Sequence, residues 1–209
     1  MNLKKQLVVV SLFGVTSIGA AVAAQGARGS KALPANDDTW IELRDGSAVH
    51  RLWLDPELIA ELEPTDAVMS ALLAESPGAE QLAAPSNRMR LWRCDGGELA
   101  SSLLHRLRER HPDARFAEML HFGGGPDAPR TFFPGGVVVQ VDSTLEPSEA
   151  RDFLITEGLE VRRELAIGRN FFVIDSRPGL EALELADRLR PRVRFLSATP
   201  VQWTEVSAF

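Results

Sequence analysis

Polar and apolar positions along this chain follow two periods, and the sharpest patterning lies between Phe133 and Trp203. Val137-Val138-Val139-Gln140-Val141 is a β-branched run between Pro134-Gly135-Gly136 and Asp142-Ser143, and turn formers on both sides make it a strand. Glu146-Pro147-Ser148-Glu149 then puts carboxylates where a helix N-terminus favours them. Ala150, Phe153 and Leu154 recur at helical spacing, and Gly158 can take the left-handed conformation that ends the helix. Leu159 to Leu165 and Asn170 to Asp175 predict two strands, with Gly168 inside their connection. Pro178-Gly179 opens a second helix whose Ala182, Leu185, Ala186 and Leu189 share one face. Val193 to Ser197 predicts the last strand, and Pro200 stops it. The expected core brings Val139, Phe153, Val173, Leu185 and Phe195 together beneath the two helices.

The first half of the chain is patterned too. Trp40-Ile41-Glu42-Leu43, Asp45-Gly46 and Ala48 to Leu54 make a hairpin pattern with Asp-Gly as its turn. Pro56–Leu62 and Thr65–Glu75 read as helices, the second with Val68, Met69, Leu72 and Leu73 at helical spacing. Ser76 to Ser86 predicts a loop, Met89 to Cys94 a strand, Gly97 to Arg110 a helix and Arg115 to Phe122 a strand. The segment Gly96–Phe116 echoes Pro178–Phe195: a glycine opens a helix, its apolar ladder ends in an Arg-rich turn, and Arg-Phe enters the returning strand. Aligning them needs a gap, so duplication and two independent amphipathic helices both account for the echo. Residues 123–131, starting Gly123-Gly124-Gly125-Pro126, read as an interdomain linker.

Over Phe133–Trp203 the element order is βαββαβ, two helices on one face of an antiparallel sheet. The expected fold class is therefore α+β: a ferredoxin-like domain at 132–203, preceded by a smaller α+β domain at 39–122. That order hosts many functions, so function needs narrower signals. The fragments PGGVVVQV, EGL, NFFVI, PGLEALELADRL and ATPVQW, in that order, supply one. Together they resemble the N-terminal propeptide region of secreted subtilisin-like serine proteases, over Phe133–Trp203 and more weakly over Leu91–Phe122.

The resemblance implies a module that helps a protease fold and then inhibits it. Its sheet would pack on two helices of the protease, and its C-terminal extension would lie in the substrate cleft. Six residues follow Trp203, so the expectation is an external chaperone and inhibitor whose partner is a separate subtilisin-like serine protease. The candidate partner-binding residues are Trp203, Thr204, Glu205, Val206, Ser207, Ala208 and Phe209, an extended stretch suited to strand addition in a cleft. A frayed terminus has the same appearance. The alternative function is a non-enzymatic periplasmic domain of the same fold that binds another protein or a small ligand.

The chain start fits export. Lys4 and Lys5, an apolar core from Leu7 to Ile18 and the small residues Ala21-Val22-Ala23-Ala24 make Met1–Ala24 a signal peptide, with an uncleaved anchor as the other reading. The core is short for a span, which needs about 20 apolar residues. A periplasmic or secreted location follows, and 25–38 reads as a flexible linker.

Composition narrows the chemistry. At 44% hydrophobic and 25% charged over 209 residues, the chain can bury a sizeable core. Its net charge of −6, more negative once Lys4 and Lys5 are removed, argues against nucleic acid. The single Cys94 excludes an internal disulfide and reads as a small strand residue. His50, His105, His111 and His121 are dispersed, with no HExxH and no CxxC, so no metal or other cofactor is expected. Gly123–Gly125 is no phosphate loop, because Pro126 obstructs helix entry and no Lys-Ser or Lys-Thr follows. No serine lies in a GxSxG or GTSMA-like segment, and Glu181 and Glu184 read as solvated charges, which argues against an enzyme.

Overall fold

A computed structural model describes residues 40–45, 48–82, 86–94, 99–123, 125 and 127–205. The expected signal peptide, the 25–38 linker and Val206–Phe209 lie outside these residues. The molecule is mixed α+β, with four helices and two antiparallel sheets among the described residues. The first half runs β1 (Trp40–Asp45), β2 (Ala48–Leu62), α1 (Asp66–Glu75), β3 (Glu80–Leu82), β4 (Met89–Arg93), α2 (Ala100–Arg110), β5 (Arg115–Phe122) and β6 (Arg130–Phe132). The second runs β7 (Val137–Val141), α3 (Pro147–Thr156), β8 (Val161–Glu164), β9 (Phe171–Ile174), α4 (Leu180–Leu189), β10 (Phe195–Pro200) and β11 (Trp203–Thr204).

The half expected to be the smaller domain carries, with β11 added, the larger sheet: seven strands in the order β11-β6-β5-β2-β4-β3, with β1 paired to the first half of β2. The smaller has four, in the order β10-β7-β9-β8. Both halves repeat one plan. β2-α1-β3-β4-α2-β5 assembles as β5-β2-β4-β3, and β7-α3-β8-β9-α4-β10 assembles as β10-β7-β9-β8, so both place their strands as fourth, first, third, second. The echo between Gly96–Phe116 and Pro178–Phe195 falls on equivalent elements, and Phe116 and Phe195 each enter the core beneath the helices. A common plan, not only similar helices, underlies it.

Three expectations about elements fail, each for a physical reason. Pro56–Leu62 is the second half of β2, not a helix. Leu58–Leu62 pair with β4 on one side, and Ile59–Leu62 pair with β5 on the other. Ile59 and Ala60 are both fully buried, in clusters on opposite faces of the sheet. Periodicity does not separate a strand buried on both faces from a helix. Pro56 is tolerated because the β5 ladder breaks between Leu54 and Ile59, where the Asp55 carboxylate accepts the N–H groups of Glu57 and Leu58 at 2.9 and 3.1 Å. Within the loop expected at Ser76–Ser86, Glu80–Leu82 forms a short edge strand on β4. Arg130–Phe132, expected at the linker's end, is β6 of the first sheet.

The core of the second unit gathers Val137, Val139 and Val141 of β7 with Phe172, Ile174, Leu154, Leu185 and Phe195, and Phe153 packs against its edge. Val173 does not join it. It pairs with Val138, and both lie with Phe171 on the sheet's other face. Period-two alternation fixes this, since Phe172 and Ile174 take the inner face.

Helix α4 joins the two units. Leu185 and Leu189 face the second core, whereas Ala182 and Leu183 pack on Leu43, Leu52, Leu120 and Phe133. Its first turn is locked by Glu118 of β5, whose carboxylate accepts the Leu180 N–H at 3.1 Å and pairs with Arg108 at 3.0 Å. Arg108 also donates to the Pro178 carbonyl at 3.2 Å.

Candidate functional site

The expected partner-binding stretch divides in two. Trp203 and Thr204 form β11, antiparallel to Phe132 and Thr131 of β6. The Trp203 and Phe132 rings lie 5.0 Å apart, and the Thr131 hydroxyl donates to the Trp203 carbonyl at 2.6 Å. Glu205 then accepts a bidentate pair from Arg130, both bonds 2.8 Å, and its N–H donates to the Arg130 carbonyl. The hydrogen bonds from Arg130 hold the Glu205 carboxyl below its ordinary value. Trp203–Glu205 are thus fastened to the first sheet. Val206, Ser207, Ala208 and Phe209 lie outside the described residues. The residues that fasten the tail were legible only as the alternation Arg130-Thr131-Phe132, too short to predict a strand.

The sheet face away from α3 and α4 carries a small apolar cluster, Val138, Phe171 and Val173, edged by Leu165 and Val201. Arg163, opposite Val173 on β8, and Gln140 border it. All three apolar side chains are buried, and Arg163 is the exposed residue at their border.

Beside that face a cleft of about 410 Å³ runs between the two units. Arg88 and Arg115 line it from the first unit, and Arg162 and Arg163 from the second. It meets a recess of about 200 Å³ that shares Arg115 and Arg162 and adds Arg108 and Arg177. Six arginines therefore converge where the sequence scatters them over five elements and turns. Their carboxylate partners are fewer. Glu63 lies 3.8 Å from Arg88 and 3.6 Å from Arg115, Asp175 lies 2.7 Å from Arg162, and Glu118 is engaged by Arg108. Arg163 and Arg177 are exposed and have no acidic partner among the described residues.

A third polar group lies inside the first unit. His121, 2% exposed, sits between the Asp55 carboxylate, 2.9 Å from Nε2, and the Ala128 carbonyl, 2.8 Å from Nδ1. Both partners are acceptors, so the doubly protonated ring satisfies both. Burial opposes that charge, but the bonds to Asp55 and Ala128 outweigh it and raise His121 above its ordinary value. No serine or threonine hydroxyl bonds to the ring among the described residues, and the pair ties the β2 bulge to the turn before β6. His105 pairs with Glu109 on the exposed side of α2.

The chain matches no protein-family model and no curated protein sequence. No helix among the described residues is long and apolar enough to cross a membrane.

Proposed function

We propose that the chain is an external chaperone and inhibitor of a secreted subtilisin-like serine protease, and that its C-terminal unit is a ferredoxin-like module of the propeptide kind. One observation carries the reading: the order β10-β7-β9-β8, with both helices packed on one face. It falls on the stretch whose residues resemble the propeptides. The outer face of this sheet, where Gln140 and Arg163 rim the buried Val138, Phe171 and Val173, is the side on which the protease docks, and the chain's C-terminus serves the substrate cleft. Because Trp203–Glu205 are held on β6, this reading assigns the cleft to Val206–Phe209. The outer edge of β11 has no strand on it among the described residues, so the same end of the molecule offers an edge for strand addition. This reading gives the chain no catalytic role.

Refolding tests it. A denatured subtilisin-like protease lacking its own propeptide should regain activity only after dilution with the chain and proteolytic removal of the inhibitor. Equal recovery without the chain would contradict a chaperone role. Export belongs to the same reading: the mature N-terminus should lie between Ala24 and Gly26 in the periplasm or medium. Intact Met1 in the membrane fraction would instead support an anchor.

A second reading, a non-enzymatic domain binding another protein or a small ligand, has one observation in its favour. The arginine-lined cleft has no part in the protease mechanism described above.

A further inference from the structure

We infer that the cleft between the two units binds an extended acidic peptide segment of a partner protein. Six arginines line the joined recesses, against Glu63, Asp175 and the Glu118 already held by Arg108. Positive charge is thus in excess locally, in a chain whose net charge is −6. Arg163 borders the larger recess and Arg177 the smaller, both without carboxylate partners among the described residues. Arg115 is held in place by donating to the Pro134 carbonyl at 2.9 Å, so its guanidinium is oriented before any ligand arrives. Planar guanidinium forks suit carboxylates, which they engage through paired hydrogen bonds.

The walls decide among anions. Leu62, Pro134 and Val201 line the same cleft as the arginines, giving apolar contacts alongside the charges. An extended peptide, whose side chains alternate in direction, can meet both kinds of wall. Nucleic acid fits poorly, because bases need aromatic platforms and Phe116, the aromatic lining residue among the described residues, is 2% exposed. A compact phosphate would prefer converging backbone N–H groups or a helix N-terminus. Here the Gly136 N–H is taken by the Ser176 hydroxyl at 2.8 Å, and the N-terminus of α4 is filled by Glu118. Side chains spread along two joined recesses remain, and they suit carboxylates spaced along a chain.

The inference does not depend on a protease, and its test uses none. Fluorescently labelled octaglutamate is titrated into the full chain and followed by anisotropy, with octalysine as the opposite-charge control and pyrophosphate as competitor. Octaglutamate should bind, and bind more weakly as salt rises. Arg163→Glu combined with Arg177→Glu should lower the affinity about tenfold or more, because each reversal replaces an attraction with a repulsion. Arg151→Glu, on the exposed side of α3, should leave it within about twofold. All variants should keep the melting transition of the parent, since none of the three side chains has a charged partner to lose among the described residues. The inference is overturned if octaglutamate does not bind, if the double reversal leaves affinity unchanged, or if Arg151→Glu weakens it equally. Pyrophosphate binding without octaglutamate binding would also overturn it, in favour of a small-anion site.

Discussion

Gly179 is where a single atom decides most. Its φ is +87°, and a β-carbon there would lie 2.0 Å from the Glu118 carboxylate and 2.7 Å from Arg108. Gly179→Ala should therefore cost about 2–4 kcal/mol, from backbone strain and from displacing the lock on α4. Chemical denaturation measures it, and a loss under about 0.5 kcal/mol would mean that the lock is not made in solution. His121 makes the second residue-scale prediction. Its folded value is raised, so the protonated ring contributes stability in full below the unfolded value of about 6.5. That contribution is lost as pH rises through the folded value. The parent's denaturation midpoint should fall over that interval, and His121→Gln should lack this component. Parallel curves for both proteins would remove the Asp55 pair from the account. The pairing was not legible in the sequence, where 66 residues separate Asp55 from His121. It exists because β2 and β5 are neighbours.

Helix α4 shows how far patterning carries an element. Leu185 and Leu189 give the helix and its inward face, and Leu183 lies off that stripe. It is 5% exposed because the other unit covers it. Leu183→Ala and Leu185→Ala should each cost about 2–5 kcal/mol by chemical denaturation. A Leu183→Ala cost below about 0.5 kcal/mol would mean that the two units separate in solution. Strands bounded by Pro, Gly or Asp-Ser were legible, as β7 and β9 were, because turn chemistry fixes their ends. β3 and β6 span three residues each, too few to display a period. The second half of β2 was misread because burial on both faces erases alternation. At the site, the tail was visible as a stretch, whereas its partners Arg130–Phe132 and the cleft arginines meet only after folding.

The whole molecule joins two copies of one plan through α4, Glu118 and the strand β11, so its C-terminal segment reports on both units. That arrangement changes where the tail should be cut. Removing Thr204–Phe209 would take away half of β11 and the bidentate Arg130–Glu205 pair, mixing stability with binding. Removing only Val206–Phe209 leaves both in place. The decisive measurement is a titration of a subtilisin-like protease with the full chain and with the chain ending at Glu205, alongside their melting transitions. The account predicts inhibition by the full chain, matching melting transitions for the two proteins, and weaker inhibition by the shortened one. Phe209→Asp should weaken inhibition in the same direction, because an unpaired charge is costly in an apolar subsite. Equal inhibition by both forms would leave the sheet face as the whole inhibitory surface. No inhibition by the folded full chain would contradict the account.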